Sequence, residues 1–261
     1  MPDIDKSHVG AAFGRAAHAY DTMANFQHQV CDRLATTLSS LPLSQPPQRI
    51  LDGGCGTGYG ASLLRQQWPT ALLVGCDLAP AMLHQAQHRG IAPVAGDLER
   101  LPFANASFEL VWSSMALQWC QPARVYAELA RVLAPGGVLV FSTLGPGTLH
   151  ELEHAFASID SHRRVLPFTP ATQLEGALVA AGFSRFDLAS ESWVTRHADF
   201  KALLGTIRGI GASQVGGNRR PGLMGKSAWQ AAQLRYEALR DPAGLLPATY
   251  EVVLGWAQKQ P

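Results

Sequence analysis

A chain of 261 residues, 47% hydrophobic and 16% charged, can bury one large α/β core with a small accessory part. Its net charge of +1 supplies no global field for nucleic acid or an anionic membrane, and no apolar run approaches the ~18 residues of a membrane span. The start (MPDIDKSHVG) lacks the apolar stretch of a secretory signal, and Cys31, Cys55, Cys76 and Cys120 have no metal-ligand spacing, so the expectation is a reduced, cytoplasmic protein without a metal site.

Residues 8–40 read as a helical cap, with Phe26, Val30, Leu34 and Leu38 recurring at helical spacing. LPLSQPPQ (41–48) breaks that pattern with three prolines. Strands and helices then alternate. RILDGG reads as a strand and YGASLLRQQW as a helix; ALLVGCD is a strand and APAMLHQAQHR a helix. IAPVAGD and FELVWSSM are strands, PARVYAELARVLAPGG is a helix stopped by Pro135-Gly136-Gly137, and VLVFSTL is a strand. Such near-continuous apolar strands imply a parallel sheet covered on both faces. Beyond residue 145 come a loop, a helix and a return segment to 170, the helix ATQLEGALVAAGF and the strand RFDLASESWVTR. Residues 199–245 read as helical, and TYEVVLGWAQKQ as a tail strand able to complete the sheet edge. The expected architecture is a single domain. Residues 48–145 form its ligand-binding core, and segments 146–170 and 199–245 form a helical lid.

The stretch ILDGGCGTGYG (50–60) places five glycines behind the first strand. Glycines there let the backbone approach a ligand at a positive helix N-terminus. Two ligand classes use this place, dinucleotides and S-adenosylmethionine. The spacing fits D-x-G-x-G-x-G, from Asp52 through Gly54, Gly56 and Gly58, better than a dinucleotide fingerprint. Asp52 would repel a pyrophosphate but favour the ammonium and sulfonium of S-adenosylmethionine. At ~4 Å and an effective dielectric near 20 that contrast is about 4 kcal/mol either way. Asp77 ends the second strand, where an acid accepts ribose hydroxyls in either class. Asp97 ends the third, where it can accept from an adenine amino group with Leu98 against the ring. The three acids lie along the carboxyl edge of the sheet, where open α/β sheets bind ligands.

On LDGGCGTG, GCDLAPAML, GDLERLPF, FELVWSSMALQW and ELARVLAPGGVLVFSTL, the sequence resembles the class I S-adenosylmethionine-dependent methyltransferases. With FGRAAHAYD, SSMALQWC, FSTLGPGTLHEL, GIGAS and TYEVVLGWA added, it is similar to the malonyl-[acyl-carrier protein] O-methyltransferases of biotin synthesis over most of its length. The resemblance implies a Rossmann-like α/β fold: a mostly parallel seven-stranded sheet, helices on both faces and a helical lid. It implies methionine-end contacts from Asp52, Gly54 and Gly56, with Gly53, Cys55 and Gly58 of the same loop beside the cofactor. Asp77 and Leu78 would hold the ribose, Met82 would also line the cofactor site, and Asp97 and Leu98 would hold the adenine. Ser113 would lie near the methionine moiety, and Tyr20 and Gln118 would close over cofactor or substrate.

The implied reaction methylates the free carboxylate of a malonyl thioester carried by an acidic acyl carrier protein. That carboxylate is ionised at neutral pH and needs no general base, so catalysis is alignment, with Tyr20 and Gln118 the residues placed to assist. An anionic substrate calls for a cation, either Arg15 of FGRAAHAYD or an arginine of the lid. Residues 201–261 hold eight Lys or Arg against three acids, and Arg219 and Arg220 among them would steer the acidic partner. A methyltransferase acting on a small molecule or a quinone precursor shares the core motifs and stays open, as does a dinucleotide oxidoreductase, which Asp52 disfavours.

Overall fold

The computed structural model describes residues 4–157, 159, 162, 165–212 and 225–260. The N-terminal stretch is not one helix but three: α1 (Lys6–Ala16), α2 (Tyr20–Met23) and α3 (Asn25–Ala35). Asp5 starts α1 by accepting from the backbone N–H of Ser7 and His8. Strand β1 (Arg49–Gly53) leads through the glycine turn into α4 (Tyr59–Gln67). Then follow β2 (Leu72–Asp77), α5 (Pro80–Ala86), β3 (Ala92–Ala95), β4 (Phe108–Ser114), α6 (Pro122–Val132) and β5 (Leu133–Leu144). Proline at the first turn opens both α5 and α6, where its missing N–H costs nothing. The later elements are α7 (His150–Phe156), α8 (Ala171–Ala180), β6 (Phe183–His197), α9 (Phe200–Gly209), α10 (Lys226–Glu237) and β7 (Leu246–Lys259).

The sheet has seven strands in the order β3-β2-β1-β4-β5-β7-β6. The first five are parallel, and β7 runs antiparallel to both of its neighbours. Two expectations need correction. The tail strand does not complete the edge: β7 inserts between β5 and β6, and β6 is the edge. Its burial explains this, because Val252 and Val253 are fully enclosed whereas β6 alternates between partly and fully exposed positions. Nor does Pro135-Gly136-Gly137 stop α6; the helix ends at Val132 and these residues already belong to β5, with Gly136 at φ +73°.

Alternation divides the core. Ile50, Leu110, Trp112 and Val140 face α3 and α4, packing against Val30, Leu34 and Leu64. Leu51, Val111, Leu139 and Phe141 face α6 and α8, against Leu129 and Leu178. This two-sided burial fixes the register of β1, so that the carboxyl ends of β1, β2 and β4 come together at one edge.

Candidate active site

The glycine turn follows from the backbone it demands. Gly54, Gly56 and Gly58 sit at φ +71°, +52° and +84°, the left-handed region that side chains resist. A methyl on Gly54 would collide with Ala116, and one on Gly58 would press on the backbone of Ala86. At Gly56 nothing lies within 4 Å of that position, because the backbone there opens onto a cavity. Gly53 is held by packing instead, with Leu98 3.2 Å from where its Cβ would stand. Cys55 is buried beside this turn as a free thiol, pushed well up by burial and so inert as a nucleophile.

Beneath the turn lies Asp52, 3% exposed, whose Oδ2 has no hydrogen-bond partner. Trp112 Nε1 is likewise unpartnered; the two atoms are 3.2 and 2.7 Å from the position of a Gly60 Cβ. Burial, with the nearby Asp77 charge, pushes the Asp52 carboxyl up to about 8. Both residues line a small cavity of about 50 Å³. An enclosed carboxylate without a partner is costly, and a cationic group in that cavity would relieve it. A phosphate there would do the opposite.

A second cavity of about 80 Å³ runs along the sheet edge and is lined by Asp77, Leu78, Met82, Asp97 and Leu98. Asp77 Oδ2 accepts from Gly56 N–H at 2.9 Å and Oδ1 from Ala79 N–H at 2.8 Å, so the acid shapes the glycine turn as well as lining the cavity. Burial raises its carboxyl above the usual range despite those donors. Asp97 has a partner the sequence did not suggest. Lys6, from α1, places Nζ 3.0 Å from Asp97 Oδ1 and 3.1 Å from Glu99 Oε1. Burial opposes the Lys6 charge, but Cys120, Asp97 and Glu99 outweigh it and hold the ammonium above its ordinary value. Glu99 N–H also donates to Asp97 Oδ1, which leaves Oδ2 for another donor.

Ser113 requires a correction. It is fully buried and its Oγ donates to Gly53 O at 2.7 Å, so it ties β4 to β1 and lines neither cavity. The next residue, Ser114, points the other way along the strand and lines both.

These two cavities and a third meet at Tyr20 and Met115, which line all three. Met115 stands at φ +55°, a left-handed conformation that costs a side-chain-bearing residue about 1–3 kcal/mol. It is held there by its N–H, which donates to Ser142 O and Oγ, and by Gln118 Nε2, which donates to Met115 O at 2.6 Å. Gln118 lines the third cavity, but its amide is occupied in bracing Met115. Tyr20 contributes a phenol that burial pushes well up, so it stays protonated and able to donate.

The third cavity is the largest, about 320 Å³, and is mostly apolar. Its walls come from α2, α7, α9, α10 and β7, with Leu152, Phe156, Ile207, Trp229 and Tyr250 among them. Arg15 is not there: it sits exposed in the last turn of α1 and lines none of the three cavities. Arg208, at the end of α9, does line it. Arg219 and Arg220 lie outside the described residues, as does part of SHRR (161–164). Among the described residues no cluster of His, Cys, Asp or Glu could hold a metal ion, and no helix is long and apolar enough to cross a membrane.

Residues 51–141, the span from β1 to β5, match the family model described as a methyltransferase domain. The malonyl-[acyl-carrier protein] O-methyltransferase of Herminiimonas arsenicoxydans is 56% identical over 259 residues, covering 99% of this chain and 98% of its own. That of Dechloromonas aromatica is 42% identical, covering 97% and 95%. Among solved structures, the YcgJ protein of Bacillus subtilis aligns with a TM-score of 0.59 at 17% identity, over 90% of this chain and 99% of its own. Phosphoethanolamine N-methyltransferase 2 of Haemonchus contortus, solved with S-adenosyl-L-methionine, aligns at 0.55 and 18% identity, over 88% and 53%. The structural likenesses establish the Rossmann-like α/β fold.

Proposed function

This chain belongs to the malonyl-[acyl-carrier protein] O-methyltransferase family, and we infer that it methylates the free carboxylate of malonyl-[acyl-carrier protein] in biotin biosynthesis. Its cofactor is S-adenosylmethionine. In the structure the observation that carries this reading is the orphaned Asp52 carboxylate under a glycine turn, suited to a cationic amino-acid end and hostile to a pyrophosphate.

We propose that Asp52, Gly54 and Gly56 hold the methionine end, with Gly53, Cys55 and Gly58 shaping the turn. Asp77 and Leu78 take the ribose, Met82 and Leu98 bound the adenine, and Asp97 accepts its amino group through the oxygen that Lys6 leaves open. Held by Asp52, Gly54, Gly56, Asp77 and Asp97, S-adenosylmethionine would supply an electrophilic methyl to an already ionised carboxylate, so this chain's residues would have no proton to remove from the substrate. The protein's task is therefore alignment and exclusion of water rather than proton transfer. Tyr20, at the junction of the cavities, offers its phenolic hydrogen to the carboxylate and keeps it facing the cofactor side. Gln118 acts one step back, fixing Met115 so that its side chain bounds the passage between the cavities. Apolar walls in the large cavity strengthen each of these interactions by keeping water out.

The lid formed by segments 146–170 and 199–245 supplies most of those walls. We propose that its basic residues, Arg219 and Arg220 included, steer an acidic carrier protein, with an association rate that falls as salt rises. A cytoplasmic setting fits the four cysteines, all buried and free.

Mass spectrometry of malonyl-[acyl-carrier protein] after incubation with the enzyme and S-adenosylmethionine tests the reading. The expected product is heavier by one methylene and loses that gain on ester hydrolysis. An unmodified carrier protein, with free small acids methylated instead, would transfer the reading to a small-molecule methyltransferase.

A further inference from the structure

The large cavity presents an electrostatic problem that its own walls expose. It is built mostly from leucine, isoleucine, valine and aromatic side chains, with Tyr20, Gln27, Gln118 and Thr148 among its uncharged polar ones, yet the inferred substrate enters it as a carboxylate. Moving such a charge out of water into apolar surroundings costs several kcal/mol unless a cation or hydrogen-bond donors meet it. Among the described residues lining this cavity, Arg208 is the one charged side chain.

Arg208 is exposed in the last turn of α9, at the rim of this cavity. Its guanidinium makes no hydrogen bond or ion pair among the described residues. Several other arginines are engaged, Arg49 with Glu109, Arg89 with Asp21, Arg131 with Glu128, Arg196 with Asp241 and Arg240 with Glu237. Arg208 differs from Arg15, also unpaired among the described residues, in lining the cavity. Its position has a structural cause. α9 starts with Asp199 accepting from Ala202 N–H at 2.7 Å and buries Phe200 and Leu203. Leu204, Ile207 and Arg208 then fall on the face turned to the cavity.

The end of α9 that carries Arg208 abuts the cofactor side. A methyl on Gly209 would strike the Met23 side chain of α2, the helix that begins with Tyr20. One on Gly211 would press on Ala12 O and the Phe13 backbone of α1, and Phe13 lines both the large cavity and the sheet-edge cavity. The single charged lining residue thus comes from the helix end that packs against the elements where the cavities join.

We propose that Arg208 recognises the substrate's carboxylate: it meets the charge as it leaves water and, with Tyr20, sets the enzyme's preference for malonyl over uncharged acyl thioesters. A guanidinium suits this task because it remains charged throughout the working pH range and presents several donors in one plane. One carboxylate oxygen held by Arg208 leaves the other free to face the methyl.

The proposal rests on the malonyl carrier reading, and the test separates the two. The same carrier protein is loaded with malonyl or with acetyl, and its binding to enzyme saturated with S-adenosylhomocysteine is measured by calorimetry for wild type, Arg208→Gln and Arg208→Lys. Wild type should bind the malonyl form at least about tenfold tighter than the acetyl form, a margin of about 1.4 kcal/mol. Arg208→Gln should bind both alike, at the affinity wild type shows for acetyl, and Arg208→Lys should keep part of the margin. Melting temperature and S-adenosylmethionine affinity serve as fold controls and should not move, since Arg208 makes no hydrogen bond or ion pair among the described residues. A malonyl preference undiminished in Arg208→Gln would overturn the proposal. An equal loss for both carriers would overturn it too, by assigning Arg208 to the shared phosphopantetheine phosphate. Failure of the wild type to methylate malonyl carrier protein is read separately, and it would sink the function rather than the residue.

Discussion

The two sheet-edge cavities and the large apolar cavity share Tyr20 and Met115 but are built by different rules. The first pair sits on the carboxyl edge of the parallel sheet, where Asp52, Asp77 and the glycine turn occupy adjacent strand ends. Their positions are local consequences of strand, turn and helix. The large cavity is assembled from α2, α7, α9, α10 and β7, elements more than two hundred residues apart in sequence, and its contacts are mostly apolar. Polar order thus defines one half and tertiary packing the other. Substitutions in the first should act on cofactor affinity with little effect on substrate, and substitutions in the second should do the reverse.

Asp52→Asn should cause the largest change. Coulomb attraction at ~4 Å and an effective dielectric near 20 is about 4 kcal/mol. The protonated state of the free enzyme reduces this, so calorimetry should find S-adenosylmethionine binding weaker by about a hundredfold. The unliganded protein should melt no lower than wild type, because the substitution removes a buried, unpartnered acid. Unchanged cofactor affinity would break the distinction between the two halves.

Two glycines sharpen it. Gly54→Ala combines a positive φ with a collision at Ala116 and should destabilise the fold by about 2–4 kcal/mol in a thermal or urea melt. Gly56→Ala has open space around its Cβ, so its stability cost should be only about 1 kcal/mol while its methyl intrudes on the cofactor. Equal melts for the two variants would contradict this account of the turn.

Met115→Gly addresses the junction. Relief of left-handed strain should offset the lost packing to within about 1 kcal/mol, yet turnover should fall about tenfold as the passage between cavities loses its wall. Lys6→Met should have the smallest effect. Removing the pairs with Asp97 and Glu99 should change stability by less than about 1 kcal/mol and weaken cofactor binding severalfold, read by the same titration.

The sequence disclosed these halves unequally, for the same reason. Asp52, Gly56, Asp77 and Leu98 each belong to a short motif at or just after the end of β1, β2 or β3, and the parallel sheet brings those ends to one edge, where the four line the two smaller cavities. Ser113 was misplaced by one residue: strand alternation sends it into the sheet and gives the cavity Ser114. Lys6 gave no signal, since its partner Asp97 lies 91 positions away. Met115 gave none either, because nothing in SSMALQW advertises a left-handed methionine. Arg15 was attractive for its motif but lines no cavity, whereas Arg208, equally exposed, borders the large one through the packing of α9 on α1 and α2. The inner placement of β7 similarly depends on a pairing between the last strand and one more than a hundred residues earlier.

Asp52 also links cofactor binding to pH. Its folded value near 8 lies above the ordinary value of 3.8, so folding takes up a proton between those limits. The unliganded protein should therefore lose stability as pH rises from about 4 to about 8. At neutral pH the raised value favours the protonated acid in the free enzyme, and a cationic ligand must expel that proton to form the ion pair. Calorimetry of S-adenosylmethionine binding at pH 7, in buffers of different ionisation enthalpy, counts the protons released. The account predicts net proton release on cofactor binding for wild type, none for Asp52→Asn, and wild-type affinity that rises with pH up to about 8. Binding with no proton release and no pH dependence would contradict it.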